Sequence, residues 1–329
     1  MKKPGILFPT AVLLLIGAAL LSVCVGAAGI PLSALPEAIR SGISTTPGRI
    51  FYLVRLPRTA ACLLAGSALA VAGCVIQAVL GNPLASPNII GVNAGAGLAV
   101  TVCCAAGTVS GWTIAGSAFF GALAAVMLVS LTARKAGLSR TTVILGGVAV
   151  NSFLSAVSET VTTLVPDAGL LSSDFRVGGF SSVSVPRLIP AGVLILLALG
   201  ALMLLCHELD VMALGEETAR GLGLPVQKMR TVFLTLAALL AGAAVSFAGL
   251  LGFVGLLVPH AVRRLAGSES RFLLPLSALL GAAFVTGADL LARVLFAPYE
   301  LPVGILMSLL GGPFFLWLLL HKKGGHRDD

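Results

Sequence analysis

The sequence predicts an all-α polytopic membrane protein with about ten transmembrane helices. Hydrophobic residues make up 57% of the 329 residues and charged residues only 10%, whereas soluble globular domains carry about 25% charged residues. The mean hydropathy of the whole chain is +1.05, so the apolar excess is not confined to one anchor. Because a soluble chain of this size could not bury so much apolar surface, residues 1–329 are expected to form one domain embedded in lipid.

Long apolar runs define the candidate spans, because a helix needs about 20 apolar residues to cross the hydrocarbon core. In chain order the runs are 6–30, 57–80, 89–106, 112–133, 141–165, 187–207, 229–250, 253–265, 272–294 and 303–320. The run 253–265 is too short to cross fully and 89–106 is marginal, so both need surrounding protein, which favours a compact bundle. The first run follows Lys2 and Lys3 as in a signal peptide, but its length and the later runs favour an uncleaved helix.

Lysine and arginine residues between the runs predict the orientation of the chain. With the N-terminus in the cytoplasm, fourteen of these residues flank the inner ends of spans and seven flank the outer ends. The positive-inside rule favours this arrangement, which places both termini in the cytoplasm. The net charge of +8 does not indicate a nucleic-acid partner, because the basic residues form no patch or stripe.

Two hydrophilic connections are expected to project from the bilayer. The outer connection, 30–56, contains three prolines and is expected to hold a short surface helix. The inner connection, 206–229, is the largest one on the cytoplasmic side. In it Glu216 and Arg220 are four residues apart, which favours a short helix with an ion pair, ended by the glycines that follow. A polar helix on the inner face suits docking to a soluble partner.

The sequence lacks the motifs of common catalytic sites. It contains no Gly-x-x-x-x-Gly-Lys-[Ser/Thr] phosphate loop, no metalloprotease His pair and no Gly-x-Ser-x-Gly elbow. Glu159 and Asp289 are the carboxylates well inside spans, and Arg293 one turn after Asp289 predicts an intrahelical ion pair. The six cysteines lie in or beside apolar runs without zinc-site spacing, so neither disulfides nor a metal site is expected. An enzyme is therefore not expected.

Breaks within the apolar pattern point to a transport pathway. Asn82-Pro83, Ser86-Pro87 and Val258-Pro259 interrupt or closely follow apolar runs. In a membrane such non-helical backbone survives only when it is buried in protein or lines a water-filled path. Many glycines also lie within the runs, where small residues let helices approach closely. The pattern indicates a pathway with a wall of low charge.

Four blocks of sequence follow one another over about residues 50–320. They are Arg55–Thr59 with Asn82–Pro87, then Leu214–Gly223, then Gly252–Leu256 with Val258–His260, and finally Ala288–Arg293 with Glu300–Gly304 and Gly311–Phe315. In this order they resemble the FecCD-type permeases of iron-siderophore, haem and vitamin B12 ABC importers, the type II importers. The resemblance implies a ten-helix inner-membrane permease that pairs with a second permease copy, two cytoplasmic ABC ATPase subunits and an extracytoplasmic substrate-binding protein.

The resemblance also implies three sets of site residues. Arginines at the outer mouth would meet acidic residues of the binding protein, in keeping with the bidentate pairing of guanidinium and carboxylate groups; these are Arg55, Arg58 and Arg293. The inner connection would couple to the ATPase through Leu214, Gly215, Glu216, Glu217, Ala219, Arg220 and Gly223. The gate and translocation path would include Arg140, Thr141, Thr142, Asn82 and Pro83, with Arg140 departing from the small hydroxyl pair of some family members.

The predicted function is therefore the permease of a binding-protein-dependent importer for an iron-siderophore-type metal chelate. ATP and Mg²⁺ would bind the partner ATPase, and this chain would hold no cofactor. Haem and cobalamin are alternative cargoes within the same family, and the second permease copy is either identical or a paralogue. An ion-gradient-driven secondary transporter is the alternative from another class.

Overall fold

The computed structural model describes residues 4–26, 35–135 and 140–321, and every regular element in these residues is helical. The helices are α1 (Pro4–Cys24), α2 (Leu35–Ser41), α3 (Thr46–Arg49), α4 (Leu56–Leu80), α5 (Val92–Ala105), α6 (Gly111–Lys135), α7 (Arg140–Leu164), α8 (Pro166–Val177), α9 (Val185–Leu204), α10 (Cys206–Ala213), α11 (Glu216–Gly221), α12 (Val226–Ala248), α13 (Val254–Ala266), α14 (Ser270–Val294) and α15 (Val303–His321). A 3₁₀ turn at Gly42–Ser44 and π-helical turns at Ile50–Arg55 lie before α4.

The predicted all-α class is confirmed, and each of the ten predicted runs corresponds to a helix. Seven helices of the described chain are long and apolar enough to cross a membrane. They are Gly5–Cys24, Thr46–Leu80, Gly111–Thr132, Thr141–Leu164, Val185–Leu204, Val226–Ala248 and Ser270–Val294. Helices α5 and α13, with 14 and 13 residues, are short, in agreement with the lengths of their apolar runs.

The outer connection is shorter than the sequence predicts. Its expected surface helix is present as α2, but from Thr46 onward the chain is helical without interruption to the end of α4. The apolar residues of Ile50–Arg55 extend the apolar surface of α4 by more than one turn. Pro57 does not interrupt the helix, because it lies in the first turn of α4, where proline is tolerated.

Helix α4 lies at the centre of the bundle. Buried residues make up 83% of its most apolar stretch, and α14, α12 and α13 pack around it. Two glycine pairs allow the closest approaches: Gly66 faces Gly281 of α14, and Gly73 faces Gly255 of α13. A Cβ atom at either α4 position would collide with the facing backbone carbonyl. The glycines within the apolar runs therefore permit close helix packing here, as the sequence indicates.

Replacing Gly73 by alanine is expected to destabilise the protein by about 1–3 kcal/mol, because the added methyl group must push α4 and α13 apart. Gly116→Ala in α6 is the matched control, since a Cβ at that position meets nothing within 4 Å. Thermal unfolding in detergent, followed by tryptophan fluorescence, would measure both variants. Equal melting temperatures for Gly73→Ala and the unsubstituted protein would contradict the packing at this contact.

Candidate functional site

A buried charge cluster joins α4 and α14 at the end of the bundle that is predicted to be outer. The Arg58 guanidinium donates from Nε to Asp289 Oδ2 at 3.0 Å and from Nη2 to Oδ1 at 2.9 Å. Its Nη1 donates to Glu300, in the α14–α15 connection, at 2.6 Å. Asp289 is fully buried and Arg58 is 6% exposed. A bidentate pair of this kind is strong and geometrically specific.

Two further arginines complete this cluster. Arg293 Nε lies 3.0 Å from Asp289 Oδ2, which confirms the intrahelical ion pair that the spacing predicts. Its Nη2 donates to the Ser22 hydroxyl of α1 at 2.9 Å. Arg55 Nη1 donates to the carbonyl oxygen of Cys24 at 2.6 Å. The cluster therefore ties α1, α4 and α14 together.

The structure brings the three predicted docking arginines into one cluster and buries all of them. Arg55 and Arg293 are each 3% exposed, and the hydrogen bonds described above run to acceptors of the same chain. Their contact with a binding protein stays a prediction. The sequence analysis missed the pairing of Arg58 with Asp289 and Glu300, because residues more than 200 positions apart leave no local spacing signal.

The inner connection folds into α10 and α11, joined by Gly215 at φ 115°. This positive φ favours glycine there. The predicted ion pair is present, with Arg220 Nη2 at 2.6 Å from Glu216 Oε1. Helix α11 ends at Gly221, and Gly223 has a φ of 82°. The short helix predicted from the i, i+4 spacing and the glycines that follow is thus confirmed.

Two carboxylates anchor this connection to the bundle. Glu216 Oε2 lies 2.8 Å from Nη2 of Arg230 in α12, and the Arg230 side chain is only 1% exposed. Asp210 of α10 accepts the backbone N–H of Ser270 at 2.8 Å, at the first residue of α14. Arg230 is one of the fourteen basic residues that the sequence analysis counted at the inner ends of spans, and no local spacing indicates that it is buried.

The predicted ATPase-coupling residues divide into an exposed group and a buried or half-buried group. Leu214 is 63% exposed, and Glu217, Arg220 and Gly223 are exposed as well. Ala219 is fully buried, while Glu216 and Gly215 are intermediate. Contact of these residues with an ATPase stays a prediction. The exposed group is the one that a soluble partner could reach.

The predicted gate residues lie in two segments, the first turn of α7 and the α4–α5 connection. Thr141 and Thr142 are in the first turn of α7; Arg140 is the first residue of that helix, and the Arg140 side chain lies outside the described part of the structure. Asn82 Oδ1 accepts the N–H of Leu84 at 2.9 Å, and Pro83 is exposed. Their role in gating stays a prediction.

The connection between α4 and α5 packs against α7. Asn151 Nδ2 donates to the carbonyl of Asn88 at 2.6 Å. Gly147 permits the close approach, because a Cβ there would collide with the carbonyl oxygen of Ile89. The connection that carries Asn82 and Pro83 is therefore held by the same helix that begins at the predicted gate.

A polar cavity of about 260 Å³ opens between α5, α7 and α8. Its polar lining residues are Asn88, Asn93, Asn151, Ser155, Ser158 and Arg176. Polar groups at membrane depth are expected to line water-filled space or to bind a ligand. The sequence analysis missed this cavity, although Asn151, Ser155 and Ser158 are spaced four and three residues apart and therefore lie on one face of α7.

Comparison with families of known proteins matches residues 13–321, nearly the whole chain, to the FecCD transport family. The chain belongs to this family. As a FecCD protein with several membrane-spanning helices, it is a multi-pass membrane component of a transport system, and the predicted family is confirmed.

Relatives and a solved structure agree with the FecCD assignment. The chain is 38% identical over 275 residues to the Fe(3+)-citrate import system permease protein YfmD of Bacillus subtilis (strain 168), covering 84% of this chain and 82% of the relative. It is 36% identical to the vitamin B12 import system permease protein BtuC of Klebsiella pneumoniae, covering 95% and 92%. A structure described as an inward-facing conformation of a metal-chelate type ABC transporter has a TM-score of 0.85 at 29% identity, covering 97% and 100%. The predicted permease fold is thereby confirmed.

Proposed function

We propose that this FecCD chain is the permease subunit of a binding-protein-dependent ABC importer for an iron-siderophore-type metal chelate. The observation that carries the proposal is the α10–α11 segment. Asp210 and Glu216 fasten it to α14 and α12, while Leu214, Glu217 and Arg220 remain exposed. One side of this segment is bonded to the helical bundle, and the other side is exposed and carries charged residues. Such a segment is suited to transmit a movement of a soluble partner to the spanning helices.

The proposed transport cycle relies on partners. Two copies of a cytoplasmic ATPase bind ATP and Mg²⁺ and move the α10–α11 segments of this chain and of a second permease copy, which switches the path between outward and inward access. An extracytoplasmic binding protein delivers the chelate to the outer mouth. Both termini lie in the cytoplasm, and the chain itself catalyses no reaction. The relatives that import ferric citrate and vitamin B12 support a chelate cargo; cobalamin and haem are the alternative cargoes.

Reconstituted uptake tests this proposal. Liposomes that contain this chain and its ATPase, with ATP inside and a ⁵⁵Fe-siderophore-loaded binding protein outside, are expected to accumulate ⁵⁵Fe. The control is the same preparation with an ATPase whose phosphate-loop lysine is replaced by alanine. Accumulation by this chain alone, driven by an ion gradient and abolished by an ionophore, would instead establish a secondary transporter.

The charge pairing at Asp289 favours the ATP-driven alternative. A proton-coupled carrier needs an ionisable group along its path that can exchange protons. Asp289 is a buried acid in a membrane-spanning helix, and it is held by Arg58 on α4 and Arg293 on its own helix. Its carboxylate oxygens are engaged by these two arginines, so the contact between α4 and α14 accounts for the residue without a role in a proton path.

A further inference from the structure

Arg263 has neutral partners, unlike three other arginines at the predicted inner end of the bundle. Arg220 and Arg230 both pair with Glu216, and Arg271 pairs with Glu269. Arg263, near the end of α13, is half-buried and forms no ion pair with any carboxylate of the described residues. Its Nη1 donates to Gln77 Oε1, and its Nη2 lies 3.5 Å from the carbonyl oxygen of Cys74.

The two neutral acceptors engage only two of the N–H donors of the Arg263 guanidinium. The group carries five N–H donors, and two of them face Gln77 and Cys74. Gln77 is itself fixed, because its Nε2 donates to the Gly255 carbonyl at 3.1 Å. A partly buried positive charge without a counter-charge is energetically unfavourable. An anion beside Arg263 would remove that cost.

Arg263 lines a cavity of about 260 Å³. This cavity lies between the C-terminal end of α4, α10, the end of α13 and the start of α14, all at the predicted inner end. Beside Arg263 its polar lining includes Gln77, Ser268 and Ser270, and Leu209 and Leu273 contribute apolar walls. It has room for several water molecules and hence for a phosphate group.

We propose that Arg263 and this cavity bind a phosphate-type oxyanion, supplied by the headgroup of an anionic phospholipid or by free phosphate. A guanidinium fork matches the paired oxygens of a phosphate. Basic pockets between helices at the cytoplasmic face bind lipid headgroups in other membrane proteins. The apolar walls beside Arg263 suit the start of an acyl chain, and the site does not depend on the transported cargo.

Native mass spectrometry of the purified full-length protein tests the lipid source. After exchange into detergent with equal amounts of phosphatidylglycerol and phosphatidylcholine, the protein is expected to retain phosphatidylglycerol preferentially. Arg263→Gln should weaken that retention about tenfold, the loss expected for one charge-assisted contact. Arg264→Gln is the matched control, because Arg264 is the adjacent arginine, is exposed and does not line the cavity.

Thermal unfolding with added inorganic phosphate tests the free-anion source. Stabilisation by phosphate that Arg263→Gln abolishes, without a lipid preference, would assign the site to free phosphate and support the proposal. Ala213→Leu narrows the cavity and leaves Arg263 in place, so it should reproduce the binding loss even if Arg263→Gln folds poorly. The proposal is overturned if the protein shows neither the lipid preference nor phosphate stabilisation, or if both variants bind like the unsubstituted protein.

Discussion

Asp289→Asn is expected to lower the free energy of unfolding by about 3–5 kcal/mol, because it leaves two buried arginines without their shared carboxylate. Arg58 and Arg293 both pair with Asp289, and all three side chains are almost completely buried. Neutralising the acid removes both attractions while the desolvation of the two cations remains. Denaturant unfolding in detergent micelles, or the loss of folded protein on heating, would measure the effect.

Two companion variants make the Asp289 experiment specific to charge. Glu300→Gln removes the other carboxylate on Arg58, but that side chain is 36% exposed, so a much smaller loss is expected. Asp289→Asn combined with Arg293→Gln removes one uncompensated cation, and Arg58 keeps Glu300, so part of the lost stability should return. If Asp289→Asn proves no more harmful than Glu300→Gln, the cluster does not hold α4 and α14 together at the end that is predicted to be outer.

Glu216→Gln is expected to reduce ATP-driven uptake on the order of tenfold while the transporter still assembles, because the substitution weakens a charge-assisted contact. Glu216 bridges Arg220 on its own helix and the buried Arg230 on α12. Without the carboxylate, α11 should move independently of α12. The transport assay described above measures the uptake, and copurification of the ATPase measures the assembly.

Limited proteolysis separates anchoring from partner contact. Trypsin should cleave after Arg220 faster in Glu216→Gln, because local unfolding of α11 becomes easier. Glu217→Gln is the matched control, since Glu217 is exposed and should change ATPase binding without changing this cleavage. Unaltered cleavage and uptake in Glu216→Gln would show that the ion pair between Glu216 and Arg230 neither stabilises α11 nor contributes to transport.

The sequence predicts those features that depend on local composition and spacing. Apolar runs mark the ten helices that correspond to predicted spans, and i, i+4 spacing identifies the ion pairs within α11 and α14. Hydropathy does not mark α8, because its polar residues lower its mean hydropathy, although Pro166 in its first turn and Asp167 nearby are local signals of a helix start.

Contacts between distant segments account for most of what the sequence does not reveal. The partners of Arg58 and Arg230 lie on other helices, and one sequence without related sequences gives no information about such pairs. Both arginines lie where a polar connection meets an apolar run, and in the sequence they therefore resemble surface charges. Burial of these side chains is decided by how the helices pack, and for Arg58 this includes the close contact of α4 with α14 at Gly66 and Gly281.

The central position of α4 separates it from the surrounding lipid, whereas other spanning helices lie at the rim of the bundle. The most apolar stretch of α1 is only 11% buried and that of α7 only 22%, so these helices at the rim of the bundle are expected to present much of their apolar surface to the acyl chains. A 20-residue rim helix is about 30 Å long, close to the hydrocarbon thickness. Thickening or thinning the bilayer would therefore change the tilt of the rim helices first. Helix α4 would respond only through the helices that pack around it.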